Sequence, residues 1–572
     1  MTPAPPEPTP PWRAWILPAT IGLALIFDLA LVQSATYDEV AYLRVACRWW
    51  RTGDQESITR MGSPLLFWKI QQIPVLWAID RAGLGEWIDQ PETHQAALLP
   101  LLRISSAWIW LLALFATAAW SNDLAGPAAA RFAAWIFALE PTILAHSSLI
   151  TMEAPILAAS AWLCLAWSRF LGSHSRIDWF LAAIAAGIAF ACKFSAILWP
   201  PVLGAAWLLA SLRHDRSPRA FLRKSLKIAC AMLAFLLVMA LVDAALTGFA
   251  MLRPSESSGF HPSLTAFPHP LKSFLARVYE SPWPQDWVGF AIQMRHQRSG
   301  GPSYLLGTRS EQGWWYYYPI ALLVKLTPAF LLMIAARAGY AWLHARRWRS
   351  RGLTTSPTDP IPRSRYWFPI LVILCWLIVC IAASKRNYGV RYLLPIAPAA
   401  VVTIASLITH SQLTRRLALA LLAFQTLSLA LTHPRELAYF NCLAGGTTGG
   451  RHILADSNLD WGQGLKDLAK LQREQPRFQD LTLYYFGDTR PEYYGIHGPC
   501  HVIDAAAHHP SLPPAFNPST RYVAVSASLQ FGPWGPPGYF DPLRNSLPVH
   551  LIQNGVIAIY EMPHPADLST HR

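Results

Sequence analysis

Residues 15–32 read WILPATIGLALIFDLALV, and residues 35–42 follow closely as ATYDEVAY. A predominantly apolar run of this length spans a bilayer as a helix, which needs about 20 residues. It lacks a small-residue cleavage site and many similar runs follow it, so it reads as a retained helix and not a signal peptide. The second stretch places two adjacent carboxylates, Asp38 and Glu39, at the mouth of that helix. Ionisable groups at membrane depth are costly without a partner or a task. This pair is therefore the centre from which a membrane site can be sought.

The chain has 572 residues, 53% of them hydrophobic and 14% charged, which describes a polytopic α-helical membrane protein and excludes an ordinary soluble globule. Its net charge of +14 raises the question of nucleic acid. The charge is concentrated in short linkers between apolar runs. Arg213, Arg216, Arg219, Arg223, Lys224 and Lys227 lie in one, and Arg337, Arg346, Arg347, Arg349, Arg351, Arg363 and Arg365 in another. That is the positive-inside pattern of a membrane protein, and no nucleic-acid partner is expected.

Eleven spans are expected, near 15–33, 100–120, 128–146, 152–170, 178–192, 195–212, 228–249, 317–336, 367–384, 390–409 and 417–432. The long apolar stretch around Lys193 is read as two short helices, because the basic segments on either side both belong on the cytoplasmic face. Residues 64–78 fit a helix lying in the interface better than a span. The Pro-rich residues 1–13 read as a disordered cytoplasmic N-terminus, and residues 14–432 as the membrane domain, with outer loops at 34–99 and 250–316. Residues 433–572 read as a soluble α/β domain, with strands near 481–486, 521–526 and 556–560 and a helix near 464–471. Eleven crossings from a cytoplasmic N-terminus put that domain outside, on the same face as Asp38, the 250–316 loop and residues 385–391. Cys47, Cys442 and Cys500 fall on that face too, where a disulfide is open, and no cysteine has metal-ligand spacing.

Several residues can carry chemistry. Asp38 and Glu39 read as a general base with a supporting acid, or as solvated headgroup-level charge. Glu153 enters an apolar run at the same expected depth as Asp38, and snorkelling to water is its bland alternative. Lys193, Lys325, Lys385, Arg386 and Arg391 sit at helix ends, where they serve as membrane anchors or together bind an anionic lipid head through charge-assisted bonds to phosphate. The aromatic run at 314–318 marks an interface and also offers rings to sugar or prenyl groups.

Taken in order, these residues resemble a family. The Tyr37-Asp38-Glu39 stretch, residues 139–153 ending in Glu153, Tyr304-Leu305-Leu306-Gly307, Gly313-Trp314-Trp315-Tyr316-Tyr317-Tyr318-Pro319 with Lys325, and Gly389-Val390-Arg391-Tyr392 carry the likeness. Its most specific part is Asn441 with Gly445-Gly446 and Asp456-Ser457-Asn458-Leu459-Asp460-Trp461-Gly462-Gln463. The chain resembles the membrane-embedded GT-C glycosyltransferases that use polyprenyl- or dolichyl-phosphate sugars, specifically bacterial relatives of the protein O-mannosyltransferases (glycosyltransferase family 39-like).

The resemblance implies inverting transfer of a sugar from a polyprenyl-phosphate-linked donor to a hydroxyl acceptor on the outer face of a bacterial plasma membrane. Asp38 would be the base, Glu153 and Lys193 would surround it, and Arg391 would lie near the donor phosphate. Tyr37, Tyr304, Trp314, Trp315, Tyr316 and Tyr392 would line a substrate groove, in contact with membrane lipids. A divalent cation such as Mg or Mn occurs in parts of that class and is left open here. The chain departs from the family at Gly62-Ser63-Pro64, where a His-Pro-Pro-like turn is usual, and at Glu153, where Asp is frequent. A transporter or flippase is the competing class, but neither an internal repeat nor paired broken helices is evident. A noncatalytic envelope-biogenesis scaffold would tolerate loss of Asp38.

Overall fold

The computed structural model describes residues 13–211, 217–256, 268–350, 363–503 and 512–562. The expected disordered N-terminus lies almost wholly outside them, as do Arg213, Arg216 and Arg351 of the basic linkers.

The first helix, Arg13–Val32, is followed after four residues by Tyr37–Thr52. Sequence sets both ends of the second helix. Thr36 and Glu39 form a reciprocal capping box at its start, and Gly53, at φ 73°, closes it by donating its N–H to the Trp49 carbonyl at 2.8 Å. The 64–78 segment folds as the helix Phe67–Arg81, which packs against Tyr37–Thr52. Its Trp68 is fully buried and Trp77 is exposed, as suits an amphipathic element.

Among the described residues, eight helical runs are long and apolar enough to cross a membrane, or nine if the bent pair Tyr317–Lys325 and Pro328–His344 is one span. This corrects the expected eleven. The spans expected near 100–120 and 128–146 belong to one 44-residue run, Gln95–Ala138, in which Gly126 breaks the helix at φ 79° and ψ −178°. Arg176–Cys192 has 17 residues and reaches about 26 Å at 1.5 Å per residue, short of a ~30 Å hydrocarbon core. The chain does turn at Lys193, which is extended (φ −160°, ψ 124°) between that helix and the 3-10 turn Phe194–Leu198. The span expected at 317–336 is broken at Lys325, and its halves differ in direction by 112°.

The C-terminal segment forms a five-stranded mixed sheet in the order Cys500–Ile503, Thr482–Phe486, Tyr522–Ser526, Ile557–Glu561, His550–Ile552. The first three strands are parallel, with Leu483 opposite both Cys500 and Ala524. The last two pairings are antiparallel, with Val525 opposite Ala558 and Leu551 opposite the same residue. The helix Leu465–Glu474 buries Leu465, Leu468 and Leu471.

Sheet and helices share one apolar core, which runs through Val40, Phe190, Leu459, Leu483 and Ile557. Backbone bonds stitch the seam: Tyr37 N–H to the Trp461 carbonyl at 2.8 Å and Leu306 N–H to the Ile453 carbonyl at 3.0 Å. Direct contact therefore puts Asp38, the turn at Leu306 and the C-terminal segment on one face, where the expectation had used the parity of eleven crossings. All eight cysteines are free, so Cys47, Cys442 and Cys500 form no disulfide.

Candidate functional site

Four elements far apart in sequence bring four charges together. Asp38 lies in the first turn of Tyr37–Thr52, and Glu153 is the first residue of Glu153–Ser173. Lys193 sits at the break after Cys192. Arg391 lies in the 3-10 turn Val390–Ile396, behind Gly389. Gly389 has φ 153° and packs so tightly on Ser457 that a side chain there would collide with it.

Asp38 Oδ2 accepts from Arg391 Nη1 at 2.7 Å. Glu153 Oε1 accepts from Lys193 Nζ at 3.0 Å and is 3.7 Å from the same Arg391 nitrogen. The result is a chain of alternating charge, Asp38, Arg391, Glu153, Lys193, with no net charge when all four are ionised. Trp461 lies under the Arg391 guanidinium at 4.3 Å, and the Lys193 ammonium is 5.1 Å from the Tyr392 ring. Asp38 is the open end, with its side chain 22% exposed against 1% for Glu153. Among the described residues, three buried atoms in or beside the cluster have no hydrogen-bond partner: Arg391 Nε, Glu153 Oε2 and His146 Nδ1. Buried polar atoms seldom remain unpaired without a reason.

Glu39 points the other way. Its carboxylate is wholly buried, accepting from Arg103 Nε at 2.8 Å and Nη2 at 2.6 Å, from Thr36 N–H at 3.0 Å and from Ile150 N–H at 3.1 Å. Arg103 also donates to the carbonyls of Ala30, Gln33 and Ser34 at the end of the first helix, at 3.2, 2.9 and 2.9 Å. Burial alone would raise the Glu39 carboxyl, but the Arg103 guanidinium and the two backbone N–H groups hold it below the usual range. Glu39 thus fixes the turn that presents Asp38, and it faces protein on all sides. The bonding partners of Arg103 were not anticipated. The signal for it was an arginine inside the apolar residues 98–104, which demands a buried acid.

Of the other expected cations, Lys325 is buried and donates to the carbonyls of Leu437 at 3.0 Å and Asn458 at 2.6 Å. It ties a broken helix to the C-terminal segment. Lys385 is exposed, while Arg386 donates to the Gly300 carbonyl at 2.9 Å. Neither has an ion pair with the cluster among the described residues.

The aromatic residues divide as well. Tyr37 stacks on Phe486 at 5.5 Å beside Asp38, and Tyr392 is inside the cluster. Tyr304 is buried and donates to the His452 carbonyl at 3.3 Å. Trp314 and Tyr316 are half-buried and Trp315 is 69% exposed. Tyr42, one helical turn beyond Asp38, is buried against the same cluster and was not singled out from sequence.

The C-terminal motif is scaffold. Asn441 donates to the Leu323 and Leu326 carbonyls at 2.7 and 2.8 Å, across the bend at Lys325. Asn458 accepts from Val390 N–H at 3.0 Å and donates to the Tyr317 hydroxyl at 2.9 Å, which fixes the backbone beside Arg391. Asp456, at φ 57°, accepts from Trp534 Nε1 at 2.8 Å. Asp460 accepts from Ser528 N–H at 3.0 Å, and Gln463 accepts from Trp461 N–H at 2.8 Å, so the Trp461 ring is held under Arg391. Burial pushes Asp456 up to about 6 and Asp460 up to about 7. Among the described residues no three His, Cys, Asp or Glu side chains are grouped to hold a metal ion, and no step below passes through one.

A family model described as dolichyl-phosphate-mannose-protein mannosyltransferase matches residues 96–242, about a quarter of the chain. The matched segment contains Arg103, Glu153 and Lys193 but neither Asp38 nor Arg391. No curated protein matches. Among solved structures, ArnT from Cupriavidus metallidurans bound to undecaprenyl phosphate is similar over 97% of this chain and 99% of its own, at 11% identity and a TM-score of 0.47. The oligosaccharyltransferase of Archaeoglobus fulgidus, in a complex with zinc and sulfate, is similar over 90% of this chain and 68% of its own, at 14% identity and a TM-score of 0.41. Likeness that distant decides neither the fold nor the substrate of this chain.

Proposed function

We propose that the chain is an inverting glycosyltransferase of the GT-C kind. It moves a sugar from a polyprenyl-phosphate-linked donor to an acceptor hydroxyl at the outer face of a bacterial plasma membrane. The observation that carries this is the convergence of Asp38, Glu153, Lys193 and Arg391, with Asp38 open and the two cations beside it. The ordered motifs and the mannosyltransferase family match over residues 96–242 agree with it.

In this reading Asp38 takes the proton of the acceptor hydroxyl, whose oxygen bonds to the anomeric carbon of the sugar. The bond from that carbon to the phosphate oxygen breaks on the opposite side, and its electron pair stays on the phosphate. Arg391 and Lys193 hold the phosphate as it gains charge. Glu153 positions both cations, Tyr37 and Tyr392 offer rings to the substrate, and Glu39 with Arg103 fixes the presentation of Asp38. The N-terminus is then cytoplasmic and the sheet outside.

The test is transfer by the purified protein from polyprenyl-phosphate sugars to hydroxyl acceptors, comparing wild type with Asp38→Asn. The variant is expected to lose at least about a hundredfold in rate, as for removal of a general base, at unchanged expression. Equal rates would remove Asp38 from catalysis. Wild-type protein inactive with every lipid-linked sugar would favour a scaffold.

A further inference from the structure

Arg391 has two demands on it. Its Nη1 lies 2.7 Å from Asp38 Oδ2, while its Nε is buried and has no acceptor among the described residues. The residue is 9% exposed, so this unused donor is aimed into protein and not into bulk water. A guanidinium has five N–H donors in a planar fork suited to bidentate acceptors, and here one nitrogen serves the base through a single contact. The opposite side of the cluster is fixed, because Glu153 has Lys193 at 3.0 Å and is almost fully buried. The exchangeable bond is therefore the one to Asp38, the more exposed carboxylate.

The Asp38 Oδ2 lone pair that accepts from Arg391 at 2.7 Å is not available to an acceptor's proton while that bond lasts, and the bond fixes how the carboxylate is presented. A phosphate diester brings one negative charge and two free oxygens to a cluster that is otherwise neutral. It competes with Asp38 for the same guanidinium and can offer the bidentate geometry Asp38 does not use.

We propose that Arg391 is an exchangeable lock on Asp38: the phosphate of the lipid-linked donor draws the guanidinium away and so frees the base only when donor is bound. The proposal rests on the glycosyl-transfer reading above and adds its order of events. Charge conservation favours this order. During transfer Asp38 goes from −1 to neutral as it gains the acceptor's proton, and the phosphate goes from −1 to −2 as it keeps the electron pair of the broken bond. The negative charge thus passes from Asp38 to the phosphate that already holds Arg391. A base freed only by donor is also one that does not take part in chemistry before the sugar is in place.

Binding distinguishes this lock from a structural ion pair. Purified full-length protein is titrated with a sugar-free polyprenyl monophosphate, read by intrinsic tryptophan fluorescence. Asp38→Asn removes the competitor for Arg391, so it is expected to bind the lipid phosphate roughly tenfold tighter than wild type. Asp38→Ala, which removes the same carboxylate, is expected to show the same gain should the first variant fold poorly. The gain should vanish in an Arg391→Gln background and should be absent for the uncharged polyprenol. Equal or weaker binding by both Asp38 variants, beside saturable binding by wild type, overturns the lock and leaves the transferase reading standing. No saturable binding of polyprenyl monophosphate by wild type overturns both.

Discussion

At the scale of single residues, neighbours in sequence have opposite physical situations. Asp38 and Glu39 are consecutive on a helix, so their side chains diverge by about 100° around the axis. One reaches the open end of the cluster and the other a dry pocket closed by Arg103. Removing one member of a buried, fully hydrogen-bonded pair strands the other charge, at a cost of about 3–5 kcal/mol. Glu39→Met and Arg103→Met are therefore each expected to lower the unfolding temperature in detergent sharply, and to reduce activity by misplacing Asp38. The double variant Glu39→Met with Arg103→Met leaves no orphan charge and should be more stable than either single one. A double variant as unstable as the sum of the two singles would show that the pair does not act as a unit. Asp38, Glu153, Lys193 and Arg391 were legible in the sequence because each is a charge at the end of an apolar run. The differing surroundings of the wider cation set were not: an exposed Lys385 and a Lys325 bonded to two carbonyls look the same in sequence as Arg391.

At the scale of elements, helix boundaries were harder to read than helix existence. Hydropathy locates apolar runs and places an interruption near Gly126, but it does not see that the helical run continues across it or that a 112° bend falls at Lys325 inside another run. The strands at 482–486, 522–526 and 557–561 were evident from β-branched and aromatic residues, whereas the short Cys500–Ile503 and His550–Ile552 carry little such signal. The bend at Lys325 leaves carbonyls of Leu323 and Leu326 without helical partners, and Asn441 supplies both bonds. Asn441→Ala strips two buried acceptors at once. The expected loss is about 2–3 kcal/mol, from roughly 1–3 kcal/mol per unsatisfied group after partial relaxation. It should appear as a lower unfolding temperature together with faster proteolysis at the 326–327 break, and protection equal to wild type would show that other donors take over these carbonyls.

At the scale of the whole molecule, the C-terminal sheet and the helices act as one body because the site lies in their seam. Trp461 belongs to the C-terminal motif, yet it forms the floor under Arg391. A second clasp closes the far side, where the chain leaves its last long helix. His433 Nδ1 is 2.6 Å from Glu436 Oε1, and its Nε2 is 3.0 Å from Asp28 Oδ2 of the first helix. The hydrogen bond to Glu436, joined by the negative charges of Glu436 and Asp28, raises the imidazole above its ordinary value against the opposing effect of burial. Since the folded state holds the proton more tightly than the unfolded state, the clasp contributes its full stability below about pH 6.5. That contribution is lost as pH rises through the raised value. The unfolding temperature of wild type should therefore fall relative to that of His433→Gln as pH rises from about 6 through that window, because glutamine keeps polar contact but binds no proton. Parallel profiles for the two proteins would mean that the junction between the first helix and the C-terminal segment is held by other contacts, such as Lys466 donating to the Leu31 carbonyl at 2.7 Å.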